Sequence, residues 1–477
     1  MRTYTLGVMA LCVLCGLSVG CSGTTTSTSG TPVVIAIHDS APSGVSVLTF
    51  TMTISDMTVM DSAQNTASLI PGPVTVQFQD LLTQSALFTV KSSARPNTYP
   101  TMTITFSNVV ATILNASGSA ITVNGTSCAP AQICTIKPTI NQVTATINSG
   151  AFPLTVTDVP FTLDVDVNIS ASLQGNLSIT PVVSVSAPAA ATGSLASFNA
   201  NGQITSVSGT GFTMIDAATG NSLNIDASKA TFVNFLANSS NCTTQNTAAC
   251  LATNQNINID YIATNGTPIL LQANNVTLKN GITNGIEGVV IAAPVAGPAN
   301  QFTMVVTGTS PSRTDVPLGT KLTVTTPTTS SSFAFLPVSG ITVPSPLAFT
   351  GVSSIVAGQT IDIDSTNASA SAGTATATTV LLVPSQFIGN LSVVNSIGVS
   401  SYGVNGLNSV FTTGGVNSLN VLVETGTSFL GVPFSSLVVG QPVTTGGEVF
   451  SGANGVTVVG GQVSQSAAST PTPTPTM

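Results

Sequence analysis

The sequence Leu48-Thr49-Phe50-Thr51-Met52-Thr53-Ile54-Ser55 carries an apolar side chain at every second position and a hydroxyl-bearing side chain at each of the others. Because successive side chains of a β-strand point to opposite faces, this period of two predicts a strand with one buried and one polar face. The alternation returns at residues 101–106 and 161–170, and Gly, Pro and Asn clusters separate the runs. Helical periodicity is nearly absent, so the sequence predicts an all-β protein.

Residues 32–187 contain these runs and are predicted to form an antiparallel β-sandwich. Four parts of this region form a pattern. They are Val34-Ile35-Ala36-Ile37-His38-Asp39-Ser40-Ala41-Pro42, residues 47–57, Asp80-Leu81-Leu82 with Pro96-Asn97-Thr98-Tyr99, and residues 161–167. Together they resemble a bacterial secreted family, domain of unknown function 4382. The resemblance implies a sandwich-like domain on an exported protein and assigns no activity.

From Gly193 onward the chain repeats itself with a period of about 90 residues, which suits serial small domains better than solenoid units. A Gly-Gln pair precedes a late predicted strand at Gly358-Gln359 and again at Gly440-Gln441. The order of strands resembles a secreted repeat family, domain of unknown function 5666. That resemblance implies small closed barrels of the oligonucleotide/oligosaccharide-binding (OB) type.

The predicted architecture is therefore an N-terminal antiparallel β-sandwich followed by three small OB-like β-barrel modules. The sandwich is expected at residues 32–187 and the barrels at residues 193–280, 285–383 and 387–465. Residues 466–477 alternate Thr with Pro over most of their length and are expected to form an extended tail.

The first 20 residues are typical of a bacterial lipoprotein signal peptide. Arg2 precedes an uncharged apolar run at residues 6–19, and Gly20-Cys21 resembles the end of a lipobox, which implies that Cys21 carries the lipid. The run is shorter than the roughly 20 apolar residues that a membrane-spanning helix needs. The alternative is an ordinary secreted protein that is cleaved nearby.

A lipid on Cys21 would attach the protein to the cell envelope through residues 21–31, a tether rich in Ser, Thr and Gly. By resemblance to lipoprotein sorting, Ser22 in place of Asp favours the outer membrane, if the organism has one, so the expected location is the outer membrane or cell surface. The expected partners are the membrane, through this lipid, and a glycan or protein ligand.

Four of the 7 cysteines fall into two close pairs outside the signal and the lipid site. Cys128 with Cys134 and Cys242 with Cys250 each bracket a short loop, so we predict two local disulfides in an oxidising compartment. A zinc site is the alternative, but zinc prefers tighter cysteine spacing and histidine ligands, and His38 is the single histidine.

Charge is scarce, with 8 Lys and Arg in 477 residues and a net charge of −8. A basic groove for nucleic acid cannot be built from so few cations, so nucleic acid is excluded as a partner. The scarcity of titratable groups also predicts a thermal stability that changes little between mildly acidic and neutral pH.

Few residues suggest chemistry. Asp164 and Asp166 lie two apart on one predicted strand, which places their carboxylates about 6 to 7 Å apart and could suit a glycosidase pair or Ca²⁺. A solvated strand face explains them equally well, and Asp362 with Asp364 has the same spacing and the same interpretation. His38 has no activated nucleophile to serve. We predict no catalytic residues, no cofactor and no metal site.

The sequence thus predicts an exported, lipid-anchored envelope protein with a structural, adhesive or ligand-binding role. The alternative is a polysaccharide- or protein-binding surface module, and a carbohydrate-active enzyme is less favoured because no acid/base cluster is evident.

Overall fold

A computed structural model describes most of the chain between the termini. It describes residues 31–39, 46–81, 85–168, 177–235, 242, 246–266, 268–294, 300–338, 340–395, 400–430, 433–452 and 455–465.

In the N-terminal domain the described residues form fourteen strands. They are β1 (Thr31–Asp39), β2 (Ser46–Met60), β3 (Thr66–Ser68), β4 (Val74–Gln77), β5 (Ala86–Ala94), β6 (Asn97–Tyr99), β7 (Thr101–Leu114), β8 (Ile121–Val123), β9 (Thr126–Cys128), β10 (Ile133–Ile136), β11 (Thr144–Ile147), β12 (Leu154–Val156), β13 (Phe161–Val167) and β14 (Val183–Ser186).

Two sheets of this domain enclose one core. One sheet has the order β14-β13-β1-β5, and the other has the order β10-β7-β2-β3 with β4 and β11 alongside. Phe50, Met52 and Ile54 of β2 are fully buried and pack in one cluster with Ile35 and Leu163 of the facing sheet. The alternation that predicted β2 therefore gives the domain its core.

One ladder differs from the predicted antiparallel arrangement. β1 and β13 pair in parallel, with Ile35 opposite Leu163 and His38 opposite Asp166. The two strands are joined through the whole second sheet, so the connection is long enough to return the chain in the same direction.

The described residues from 194 to 465 form three small barrel-like units, which we call barrels 1 to 3, and one short helix. Barrel 1 contains β15 (Ser194–Ser208), β16 (Gly211–Asp216), β17 (Ser222–Asp226), β18 (Thr231–Val233), β19 (Asn256–Thr264) and β20 (Leu271–Leu278). Barrel 2 contains β21 (Gly285–Ala292), β22 (Gln301–Ser310), β23 (Lys321–Thr325), β24 (Phe333–Phe335), β25 (Thr360–Asp364), β26 (Thr374–Thr376) and β27 (Thr379–Val383). Barrel 3 contains β28 (Ser385–Asn395), β29 (Ser401–Asn405), α1 (Ser409–Thr413), β30 (Ser418–Leu430), β31 (Pro442–Gly452) and β32 (Gly455–Ser464).

The barrels share one strand order. Barrel 3 closes as β28-β29-β30-β32-β31, and barrel 1 runs β17-β16-β15-β19-β20 with β17 also pairing to β20. The third strand lies parallel to a late strand each time, in the pairs β17–β20, β23–β26 and β30–β32. The all-β fold predicted from the sequence, with a sandwich followed by small barrels, is confirmed.

A left-handed residue followed by Gln precedes the fourth long strand of every barrel. Gly358 and Gly440 have φ of 88° and 86°, and in barrel 1 Asn254 takes the same place with φ of 66°. The Oε1 atoms of Gln255 and Gln359 accept hydrogen bonds from the backbone N–H three residues earlier, at 2.8 and 2.7 Å. The turn motif seen at two sites in the sequence therefore exists three times, with Asn254 replacing glycine once.

Helical structure is limited to short segments. Within the described residues, short 3₁₀ turns lie at Phe78–Leu81, Ala248–Cys250, Ser330–Ser332, Val352–Ser354 and Phe434–Ser436. The five-residue helix α1 begins after Asn408, whose side chain accepts a hydrogen bond from Val410 N at 3.1 Å. Among the residues that the structure describes, no helix is long and apolar enough to cross a membrane.

The four domains pack against one another. Val34 and Ala36, on the outer face of β1, join the core cluster of barrel 1 together with Phe198. Phe450 and Val459 of barrel 3 join the core cluster of barrel 2. A further cluster combines Leu48 of the sandwich, Val305 of barrel 2 and Val410 of barrel 3. Apolar contacts therefore connect every domain to at least one other.

Candidate functional site

A cleft of about 300 Å³ lies where the four domains meet. The sandwich contributes Val47, Leu48 and Gln79, and barrel 1 contributes Asn199, Asn201, Asn258, Asp260 and Thr277. Barrel 2 contributes Glu287, Val289, Thr307, Leu336, Pro337, Val338, Gly358, Thr360 and Val383. Barrel 3 and the segment before it contribute Pro384, Gln386, Asn408, Val410, Phe411, Gly426, Ser428, Gly446, Gly447, Gly461 and Gln462. We call this site the central cleft.

One side of the central cleft is a network of amide side chains on barrel 1. We call Asn199, Asn201, Asn258 and Asp260 the amide wall. Asn199 lies opposite Asp260 and Asn201 opposite Asn258 in the β15–β19 ladder. Since Phe198 and its alternating neighbours point into the barrel, these four side chains share the outer face.

Hydrogen bonds fix the amide wall. Asn258 Nδ2 donates to Oδ1 of both Asn199 and Asn201 at 3.0 Å, and Asn199 Nδ2 donates to Asp260 Oδ1 at 2.8 Å. Asp260 Oδ2 accepts from Asn275 Nδ2 at 3.2 Å. Among the described residues, the Asn201 amide nitrogen donates to no protein group, so its two N–H groups are available to a ligand.

The lining that the sandwich and the other two barrels contribute to the central cleft is rich in apolar side chains. Leu48 and Val410 belong to the cluster that joins three domains, and Phe411 packs edge to face with Phe387 at 5.6 Å between ring centroids. Thr307 also belongs to this lining, and its buried hydroxyl has no hydrogen-bond partner among the described residues. The site thus offers one apolar surface and one surface of donors and acceptors.

The central cleft carries no positive charge of its own. Its charged lining residues are Asp260 and Glu287, with no Lys or Arg among the described residues that line it. Lys279 lies just beyond Glu287, and its Nζ is 3.0 Å from Glu287 Oε2 and 3.1 Å from Asp362 Oδ2. Anionic ligands are therefore disfavoured, since no cation is free to receive them.

Lys279, Glu287 and Asp362 form a buried ion triad at the junction of barrels 1 and 2. The side chains of Lys279 and Asp362 are 5% and 2% exposed. Burial raises the pKa of Asp362 to about 6 despite the adjacent ammonium. Burial alone would lower the pKa of Lys279, but the Glu287 and Asp362 carboxylates hold it above its usual value.

Glu448 is a second buried carboxyl, located between barrels 2 and 3. Both of its oxygens lack a hydrogen-bond partner among the described residues, and the side chain is fully buried. Its neighbour across the ladder, Val459, and its same-face neighbour, Phe450, both pack into the core cluster of barrel 2. Burial raises the pKa of Glu448 to about 8.

The aspartates singled out from the sequence have different surroundings. Asp164 and Asp166 are half-buried neighbours on one face of β13, and no three His, Cys, Asp or Glu residues within the described ranges lie close enough to hold a metal ion. The solvated face predicted for Asp362 is wrong, because Lys279 and Glu287 cover its carboxyl. Asp364 Oδ1 instead accepts the backbone N–H groups of Thr283 and Asn284 at 2.9 and 2.7 Å.

The remaining predicted sites have separate outcomes. The Cys128–Cys134 disulfide is confirmed, and the structure also joins Cys242 to Cys250. Cys21 lies outside the described residues. His38 and Asp39 end β1, and their side chains also lie outside the described part.

The sequence analysis missed Lys279, Glu287, Glu448 and the amide wall. The charge of Lys279, Glu287 and Glu448 was a signal that could have identified them, because charged residues make up only 5% of this chain. Lys279 and Glu287 flank the predicted boundary between the first two barrels, a place where a buried ion pair can join two domains.

No protein-family model matches this chain, and no curated protein matches it either.

Proposed function

We propose that this protein is an exported, lipid-anchored protein of the cell envelope that binds a neutral glycan in its central cleft. The observation that carries the proposal is that the amide wall and a set of apolar side chains line the same cleft of about 300 Å³. This volume is at the lower end of the range for small-molecule sites, about 300–1,000 Å³.

The chemistry of a sugar ring suits these two surfaces. A sugar ring presents hydroxyl groups at its edge and C–H groups on its faces. The Asp260 carboxylate and the Asn201 amide supply an acceptor and a donor for adjacent hydroxyls. The buried Thr307 hydroxyl, which has no partner within the described structure, would gain one from a bound ligand.

Charge supports a neutral ligand over an acidic one. A polyanionic glycan or nucleic acid would require cations in the cleft, and the described lining provides none. Binding to a neutral glycan would survive high salt because it does not depend on long-range charge attraction.

The lipid anchor is proposed from the sequence of residues 1–21. β1 begins at Thr31, so the ten residues from Cys21 would reach at most roughly 35 Å when extended. Such a tether would hold the sandwich close to the membrane. The resemblances to domains of unknown function 4382 and 5666 are likewise proposals, supported by the sandwich and by the shared strand order of the barrels.

Two experiments test the proposal. A glycan array probed with the purified protein at low and high salt should give binding to neutral glycans that is unchanged by salt. Detergent phase partition should place the wild-type protein in the detergent phase and Cys21→Ala in the aqueous phase. Binding confined to acidic glycans at low salt would contradict the first part, and a membrane-bound Cys21→Ala would contradict the second.

A protein ligand is the second candidate, supported by a groove between the sandwich and barrel 1. The groove has a volume of about 530 Å³ and is lined by Leu87–Val90 of β5 and Ser222–Asp226 of β17. β5 is the last strand of its sheet in the described structure. Val90 of β5 and Leu270, which also lines the groove, are 39% and 51% exposed. An extended peptide could add to this edge as a further strand.

A further inference from the structure

The ion triad combines three features that make a lysine and an aspartate reactive towards each other. Lys279 Nζ lies 3.1 Å from Asp362 Oδ2, and both side chains are almost entirely removed from water. Glu287 lies directly opposite Asp362 in the β21–β25 ladder and contacts the same Nζ at 3.0 Å. Asp362 Oδ1 is buried and has no hydrogen-bond partner among the described residues.

We propose that Lys279 and Asp362 form an intramolecular amide bond, with Glu287 as the catalytic residue that transfers the protons and with release of one water molecule. The starting state is the ion pair that the structure shows. The product is a covalent link between the segment that ends barrel 1 and strand β25 of barrel 2.

The reaction balances without any co-reactant. One proton passes from Lys279 Nζ through Glu287 to an oxygen of Asp362, which leaves a neutral amine and a carboxylic acid. The nitrogen lone pair attacks Asp362 Cγ and forms the N–C bond. A second Nζ proton then passes through Glu287 to the Asp362 hydroxyl, the C–O bond breaks, and water leaves. Glu287 returns to its initial charge state.

Burial favours this outcome. Two opposite charges removed from water carry a desolvation cost that their attraction only partly offsets. A neutral amide removes both of these charges and so relieves that cost, and the charge that remains is on Glu287, whose side chain is partly exposed. The raised pKa of Asp362 also favours the protonated carboxyl from which the hydroxyl leaves. Glu287, whose side chain is 21% exposed, keeps contact with solvent and can exchange protons.

The surroundings have room for the reaction. A chamber of about 40 Å³ lies beside the triad and is lined by Asn256, Gly285 and Asp216 among others. This volume accommodates the released water, which occupies about 30 Å³ in the liquid. Gly285 matters here because a Cβ at this position would lie 3.1 Å from Asp362 Oδ1 and crowd the carboxyl.

The bond would secure the junction of two domains. Lys279 and Asp362 are 83 residues apart in the sequence, so the amide would close a long loop that contains most of barrel 2. Such a link cannot be broken by reduction, unlike the two disulfides, and it would transmit a pulling force from barrel 1 to barrel 2 without unfolding the intervening strands.

Intact-mass spectrometry of the reduced, denatured protein tests the proposal in the Cys21→Ala background, which removes the lipid. The protein should be lighter than its sequence by one water, and a protease digest should contain a branched peptide that joins Lys279 to Asp362. Lys279→Arg keeps the charge but cannot form the amide, and it should have its full sequence mass.

Further outcomes separate a structural ion triad from a reactive one. Glu287→Gln should keep the full mass or lose water much more slowly, since the proton carrier is removed. A protein with intact Lys279, Glu287 and Asp362 that has its full mass after prolonged incubation from mildly acidic to mildly alkaline pH would overturn the proposal. Loss of one water that persists in Lys279→Arg would overturn it as well.

Discussion

Gly358 of barrel 2 lies directly against the ring of Phe411 in barrel 3, so closely that a Cβ at Gly358 would be 2.1 Å from Phe411 Cε1. Both residues line the central cleft. This contact makes the shape of the cleft depend on how the second and third barrels are packed.

Gly358→Ala should destabilise the protein more than Gly440→Ala does. Both glycines have a left-handed backbone, with φ of 88° and 86°, so alanine is strained at either site and costs about 1 kcal/mol. A Cβ at Gly440 meets no atom within 4 Å, whereas at Gly358 it displaces Phe411. We expect an additional cost of about 1–3 kcal/mol for Gly358→Ala. Urea unfolding of both variants measures the difference.

Equal loss of stability in the two variants would contradict a tight contact between barrels 2 and 3. In that case the backbone strain alone would account for the loss of stability, and Phe411 would move aside without an energetic cost.

Stability should fall as pH rises from mildly acidic to mildly alkaline values. The pKa of Glu448 is raised from 4.5 to about 8 in the folded protein, so the folded state holds its proton more tightly than the unfolded state. The contribution to stability is therefore greatest below pH 4.5 and is lost progressively as pH rises towards 8. Asp216, whose pKa burial raises to about 6, acts in the same direction.

Scanning calorimetry of the wild type and Glu448→Gln checks this expectation. The thermal midpoint of the wild type should fall across this range, by an amount that corresponds to a few kcal/mol. Glu448→Gln should show a clearly shallower slope, because glutamine does not titrate. Parallel slopes for the two proteins would show that Glu448 does not control the pH dependence.

This expectation replaces the nearly constant stability predicted from composition. The chain has few charged residues, but the pH dependence of its stability is set by the burial of each carboxyl and not by the number of carboxyls. Asp216, Asp362 and Glu448 are all among the buried residues.

Removal of the Cys128–Cys134 disulfide should lower the free energy of unfolding by about 2 kcal/mol. The two cysteines are 6 residues apart, and closing so short a loop restricts the unfolded chain only modestly. Reduction should lower the stability of the wild type more than that of the Cys128→Ser, Cys134→Ser double variant, which retains only the Cys242–Cys250 bond. A thiol assay that finds both cysteines free in the native protein would contradict the pairing.

The strands were predictable from the sequence because the signal is local. The alternation in residues 48–55 reports the two faces of β2 directly, and Phe50, Met52 and Ile54 are buried as expected. The sequence repeat also predicted the barrels, because each unit has its own core pattern and its own turn before a late strand.

The candidate site was not predictable, because it depends on contacts between distant parts of the chain. Asn199 and Leu336 meet in the central cleft through the packing of whole domains, which no local pattern encodes. The burial of Asp362 likewise depends on Lys279, which belongs to the end of a different barrel. An Asp at an outward position of a strand has the same local sequence whether water or a lysine covers it.

The most direct test of the account is calorimetric titration of a glycan identified on the array into the wild-type protein and into matched variants at high salt. Asn258→Ala removes every hydrogen bond that joins Asn258 to Asn199 and Asn201 in the amide wall, and should weaken binding about tenfold or more. Asn274→Ala, at an exposed position on β20 outside the cleft lining, should bind like the wild type. Unchanged binding by Asn258→Ala, or equal weakening by both variants, would contradict glycan recognition in the central cleft.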